Sequence, residues 1–269
     1  MTTPRGAPTA RRRTHVTTLP ENIAAGTEGV LRYSDGIAAA RTLIALKANT
    51  AALQRRLPEG WELAPYAGDE LREKAFKDAN MLLPFHEVFA ARSHAGAPAG
   101  LPQVSYVAFI SQARKKSTGA LGHVHWLSYT EDPAGVPGKY RDATLARITR
   151  SQSFTKETRG ETHVRETFSA VAETGELHLS LAYRQGGLVM WVTADKPNLP
   201  LYAAQDSTIV RWYQEDQVVN IVLSVPMNVN GVTEINLKAK GELADIFDGN
   251  ERVVGVVIQR PYMRQVYVP

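Results

Sequence analysis

Residues 148–160 read ITRSQSFTKETRG, and Lys156 is the single lysine in that stretch. It follows an aromatic and several small hydroxyl residues, so it is either a solvated lysine or a catalytic amine. An amine attacks only when unprotonated, and about 0.04% of free lysine is in that form at pH 7, so a catalytic Lys156 has to be desolvated or set beside another cation. Glu87 lies in the apolar stretch LLPFHEVFAA. Strand alternation turns it to solvent, whereas an enclosed carboxylate there would suit general acid–base work. His123 and His125 in GHVHW are two apart, which on a strand puts both imidazoles on one face. A metal at that pair needs a further ligand, such as His86 or Glu87, and no spacing demands one, so no metal is expected. Lys115 and Lys116 precede Ser-Thr-Gly between two apolar strands and read as a solvated turn. No Gly-rich phosphate loop, His-Glu-x-x-His helix or Gly-x-Ser-x-Gly elbow occurs, which lowers the weight of nucleotide cofactors and serine hydrolysis.

The surrounding chain must be able to enclose such groups. It has 269 residues, of which 43% are hydrophobic and 22% charged, as in soluble globular proteins. No apolar run approaches the roughly 20 residues of a spanning helix. The 31 basic residues exceed the 27 acidic ones by four, and Arg5, Arg11, Arg12 and Arg13 account for that excess. The body is therefore electrically balanced, and neither a nucleic-acid nor a membrane partner is expected. Residues 1–22 read as a disordered basic tail and 23–269 as a single domain. The absence of cysteine and of an apolar leader segment fits a cytoplasmic protein.

Several stretches supply elements to hold the candidate residues. Residues 40–48 form a strand that runs into a short helix capped by Asn49 or Thr50, and Pro58 and Gly60 stop it. Residues 68–80 are charged on most sides and read as a solvated excursion. From Met81 onward the pattern is strand after strand, with STIVRWY and QVVNIVLSV among the separate strands. The clearest is a hairpin: Val164, Glu166, Phe168, Ala170 and Ala172 share one face, Thr174-Gly175 turns, and Leu177, Leu179, Leu181 and Tyr183 alternate on the return. A short helix is expected at GELADIF (241–247). Long βαβ connections are lacking, so the fold class is mainly β (α+β), a closed or sandwiched β-structure with a few peripheral helices.

Taken in order, these segments resemble the acetoacetate decarboxylase superfamily from about Arg41 to the C-terminus. IALKANTAALQRRLPEGWELAP is similar to that family's opening strand, short helix and apolar strand, and FHEVFAA to its glutamate-bearing strand. FTKETRG followed by TGELHLSLAY resembles its lysine segment and hairpin, and GVVIQRPYMRQVYV its closing strand. The resemblance implies an antiparallel closed β-barrel or cone with peripheral helices and no cofactor. It matches Lys156 to a lysine that forms an imine with a keto substrate, with Glu87 transferring protons. The imine acts as an electron sink for a carbanion, which opens decarboxylation, aldol chemistry and dehydration.

Two departures favour the aldolase-dehydratase branch. Glu157, and not a second lysine, follows Lys156, and where the decarboxylases carry a second glutamate this chain has GLPQVSY, with Gln103 the nearest polar residue. In that branch an amide and a tyrosine hold a keto acid, roles that fall to Gln152 and Tyr262, with Arg150 clamping the carboxylate. The expectation is a lyase acting on a small keto substrate, as a homo-oligomer. The alternatives are the same fold without an imine, working as an acid–base cyclase, hydratase or isomerase on an apolar metabolite, and a non-catalytic ligand-binding protein.

Overall fold

The computed structural model describes residues 31–269 apart from 69–70, 94–102, 136, 158–159, 196 and 198–199. The expected tail at 1–22 lies outside the described residues. The chain runs through β1 (Arg32–Lys47), α1 (Thr50–Arg56), β2 (Trp61–Leu63), α2 (Leu71–Lys74), β3 (Met81–Ser93), β4 (Val104–Lys115) and β5 (Leu121–Thr130). A 3-10 turn (Pro137–Tyr140) precedes β6 (Ala143–Lys156), β7 (Thr162–Ala172), β8 (Gly175–Gln185), β9 (Leu188–Thr193) and β10 (Leu201–Ala203). Last come β11 (Val210–Ser224), β12 (Val229–Asn230), β13 (Val232–Gly241) and β14 (Arg252–Val268).

Seven strands close on themselves in the order β11, β14, β1, β3, β4, β5, β10 and back to β11. The expected closed barrel is therefore present. It is not purely antiparallel: β10 and the start of β6 both run parallel to β5. After that short pairing β6 leaves the barrel and forms a second sheet with β7, β8 and β13. The hairpin forms, with Ala170 opposite Leu177 and Phe168 opposite Leu179 on one face, but its turn falls at Glu173-Thr174, one residue earlier than expected, with Gly175 already in β8.

Alternation along the strands divides the side chains between two interiors. On β1, Thr42, Ile44 and Leu46 face the second sheet, while Arg41, Leu43 and Ala45 face into the barrel. The core between the layers joins Ile44, Leu83, Phe85 and Phe109 to Val164, Phe168, Leu177 and Leu179, and the Phe85 and Phe168 rings meet edge to face at 4.9 Å. Each such side chain contributes about 1.5–3 kcal/mol on full burial. One end of the barrel is filled by Leu43, Ala45, Leu82, Val219, Ile221 and Val257.

Three local expectations need correction. Residues 68–80 are not wholly solvated: Ala75, Ala79 and Asn80 are buried, and Phe76 packs with the apolar end of the barrel. The expected helix at 241–247 is instead the end of β13 followed by turns over 242–246: Ala244 N–H bonds to Gly241 C=O and Ile246 N–H to Leu243 C=O across three residues, and the four-residue bond from Phe247 N–H to Leu243 C=O is not continued by a next one. STIVRWY and QVVNIVLSV, which read as two strands, are parts of the single strand β11. The capped helix does form, with the Asn49 side chain accepting from the Ala52 amide at 3.1 Å.

Candidate active site in the barrel interior

The inward residues of the barrel enclose a cavity of about 40 Å³, lined by all seven strands and by Tyr140. At roughly 10–15 Å³ per water, this is room for about three waters. Its wall includes Arg41 from β1, His86 from β3, Tyr106 from β4, His125 from β5, Tyr213 from β11 and Arg264 from β14. The wall contains no lysine.

The two guanidiniums differ in their surroundings. Arg41 stacks over the Tyr262 ring at 3.8 Å, bonds to the Gln259 side chain, and reaches Glu215 and Gln217 at 3.4 Å each. Tyr262 in turn donates to Glu215 at 2.7 Å, so Arg41 sits in a closed network. Arg264 lies over the Tyr213 ring at 4.3 Å, and its Nε has no hydrogen-bond partner among the described residues. It is a buried cation with room for an anion beside it.

The imidazoles also differ. His86 stacks on Tyr106 at 4.4 Å, and among the described residues its ring nitrogens meet no side-chain partner, the Pro84 backbone being the nearby hydrogen-bonding group. Burial, followed by Arg41 and Arg264, pulls it well below the ordinary histidine range, so it is a neutral imidazole. His125 is likewise lowered by burial, but Asp142, 3.7 Å from its Nδ1, opposes that shift. Its Nε2 meets Ser128 Oγ. Burial pushes the Tyr262 phenol up as well, so it donates as a neutral hydroxyl.

The residues singled out in the sequence divide between three places. Tyr262 is inside the barrel. Arg150, Gln152 and Glu87 converge on the far side of the barrel wall, between the layers, around a carboxylate that sequence reasoning passed over. Glu166 there is fully enclosed and accepts from Arg150 at 2.6 Å, Gln152 at 2.8 Å, Arg260 at 3.2 Å and Thr42 at 2.9 Å. Arg150 Nη1 lies 3.8 Å from Glu87, whose side chain is 46% exposed. Lys156 is exposed at the end of β6, opposite Thr162 and outside both interiors. Glu157 turns to His163 at 3.1 Å. Gln103 is exposed just before β4 and reaches neither centre.

The two polar centres stand back to back. Arg41 and Thr42, His86 and Glu87, and Gln259 and Arg260 are neighbours in the chain, and in each pair one faces the barrel interior and the other the layer between the sheets. Strand alternation alone produces this split. The signals for it were polar residues on apolar strand faces: Arg41, His86 and Glu166.

No family model matches the sequence, and no curated protein matches it. Among solved structures, the enduracididine biosynthesis enzyme MppR, complexed with the condensation product of pyruvate and imidazole 4-carboxaldehyde, is similar at 12% identity and a TM-score of 0.50, over 87% of each chain. The chain has the acetoacetate decarboxylase-like fold. An acetoacetate decarboxylase-like enzyme from Sphingomonas wittichii RW1 aligns at 11% identity, with a TM-score of 0.48, over 87% of this chain and 90% of its own. The acetoacetate decarboxylase from Legionella pneumophila aligns at 9% identity and a TM-score of 0.46, over 95% of this chain and 96% of its own. In this chain the barrel cavity carries arginine, histidine and tyrosine. No helix among the described residues is long and apolar enough to cross a membrane.

Proposed function

We propose that the barrel interior is the active site of an enzyme that binds a small keto acid through its carboxylate and moves a proton at the carbon beside the carbonyl, without a lysine imine. Arg264 anchors the carboxylate, with Arg41 behind it. His86, neutral and without a side-chain partner among the described residues, polarises the carbonyl oxygen by hydrogen bonding, and His125 exchanges the proton. The observation that carries this reading is the cavity wall, which has two guanidiniums and two imidazoles but no amine. The position of Lys156, exposed at the end of β6 and outside the cavity, adds support.

Buried cations strengthen an enolate more than they strengthen the keto form, because the negative charge on oxygen grows as the proton leaves. The arrangement therefore favours enolisation, and with it isomerisation, hydration or dehydration of a keto acid. MppR, which shares the fold, is known with a condensation product of pyruvate, so pyruvate is the first probe.

The test is methyl-proton exchange of pyruvate in D2O, followed by proton NMR, alongside borohydride reduction and mass spectrometry. Exchange without a covalent adduct is the expected result. A borohydride-trapped adduct on Lys156 would overturn it in favour of an imine lyase.

A further inference from the structure

His125 is the wall residue with the most elaborate support behind it. A bulge in β5, opposite Phe109 and Ile110, brings His125 and Ser128 together although they are three apart, and His125 Nε2 meets Ser128 Oγ. On the other side of the ring, His125 Nδ1 faces Asp142 Oδ2 at 3.7 Å. Backbone pairing fixes Asp142 there: its carbonyl accepts from the Ser128 amide at 2.7 Å, and the next residue, Ala143, pairs with Ser128. The Asp142 side chain is fully enclosed, and neither of its oxygens has a hydrogen-bond partner among the described residues.

An enclosed carboxylate with no hydrogen bond is unfavourable unless a neighbouring group supplies a proton or a charge. The neighbour within ion-pair distance is His125. A proton on Nδ1 meets that need, and it leaves Nε2 as the lone-pair nitrogen. Ser128 suits both protonation states, since a hydroxyl donates to the neutral ring and accepts from the ring once Nε2 has gained a proton. The other polar groups that face the ring are Tyr140, with its ring at 4.7 Å, and Arg264 across the cavity.

We infer that Asp142 is a positioning residue that keeps the His125 proton on Nδ1, and that His125 Nε2 is thereby the general base of the barrel cavity. This rests on the cavity being the active site, as proposed above. The step is a proton transfer alone. The C–H bond beside the carbonyl breaks, its electron pair stays on the ligand as an enolate beside Arg264, and the proton goes to Nε2. Return of a proton, or of a deuteron from solvent, restores both partners.

The experiment is imidazole nitrogen NMR on the 15N-labelled full chain, wild type and Asp142→Asn, with pyruvate methyl exchange measured on the same samples. Wild-type His125 is expected as the Nδ1–H tautomer. Asp142→Asn is expected to lose that preference and to lower kcat for exchange by about 10²–10⁴ at nearly unchanged KM. An Nε2–H tautomer in the wild type overturns the inference, whether or not the variant folds. An exchange rate in Asp142→Asn within about threefold of wild type overturns it too. If the wild type does not exchange pyruvate, the active-site reading fails, while the tautomer still decides the role of Asp142.

Discussion

Glu166→Gln tests the logic of the second polar centre. Glu166 is fully enclosed and its carboxylate meets two guanidiniums, Arg150 at 2.6 Å and Arg260 at 3.2 Å; the Arg150 side chain is only 6% exposed. Glutamine keeps the shape but removes the charge, and turns an NH2 group toward a guanidinium that cannot accept a hydrogen bond. Removing one partner of a buried ion pair leaves the other charge uncompensated and costs about 3–5 kcal/mol. For a domain of this size that is about 6–20 °C in Tm, at roughly 2–4 °C per kcal/mol. The measurement is urea unfolding at pH 7, with the dependence on denaturant unchanged between variants. A cycle with Arg150→Gln separates the pair from its neighbours, and the double variant should be less destabilised than the sum of the single variants. A loss below about 1 kcal/mol, the range of exposed pairs, would refute the reasoning and mean that water reaches the cluster.

Other outcomes follow from the same structure. Arg264→Gln should weaken pyruvate binding by about 10–100-fold in a calorimetric titration, since a charge-assisted hydrogen bond contributes about 1.5–3 kcal/mol. Lys156→Ala should leave pyruvate exchange within about twofold of wild type, because its side chain is exposed and outside the cavity. Burial holds His86 and His125 below the ordinary histidine value of 6.5, so the unfolded chain binds more protons in acid; their contribution to stability is present above pH 6.5 and is lost as pH falls below it, which urea unfolding between pH 7 and 5 would detect. At the alkaline end, burial pushes Tyr183 up to about 12, and Tyr106, Tyr140 and Tyr213 are also raised. Stability should fall as pH rises above 10, with ultraviolet titration showing these phenols ionising together with unfolding.

The sequence by itself determined the local elements. The period-two pattern of Val164 to Tyr183 specified a hairpin and which side chains share a face, because a one-residue slip would turn every apolar side chain of that face to water, while the turn formed one residue earlier than the pattern indicated. Asn49 or Thr50 marked a helix start, and the structure caps it with Asn49; the order of strands left a closed or a sandwiched β-structure, and the family resemblance pointed to the barrel. Only the tertiary structure decided which polar residues meet. Arg41, His86, His125 and Arg264 lie on four strands and converge only when the barrel closes, and closure depends on pairings between residues far apart in the chain. The same closure puts Arg41 and Thr42 in different interiors. It also left Lys156 outside both, because β6 departs from the barrel after Leu145 and carries its far end to the edge of the second sheet. A pattern read along one strand shows that a residue faces one way or the other, and the assembled sheets determine what lies on that side.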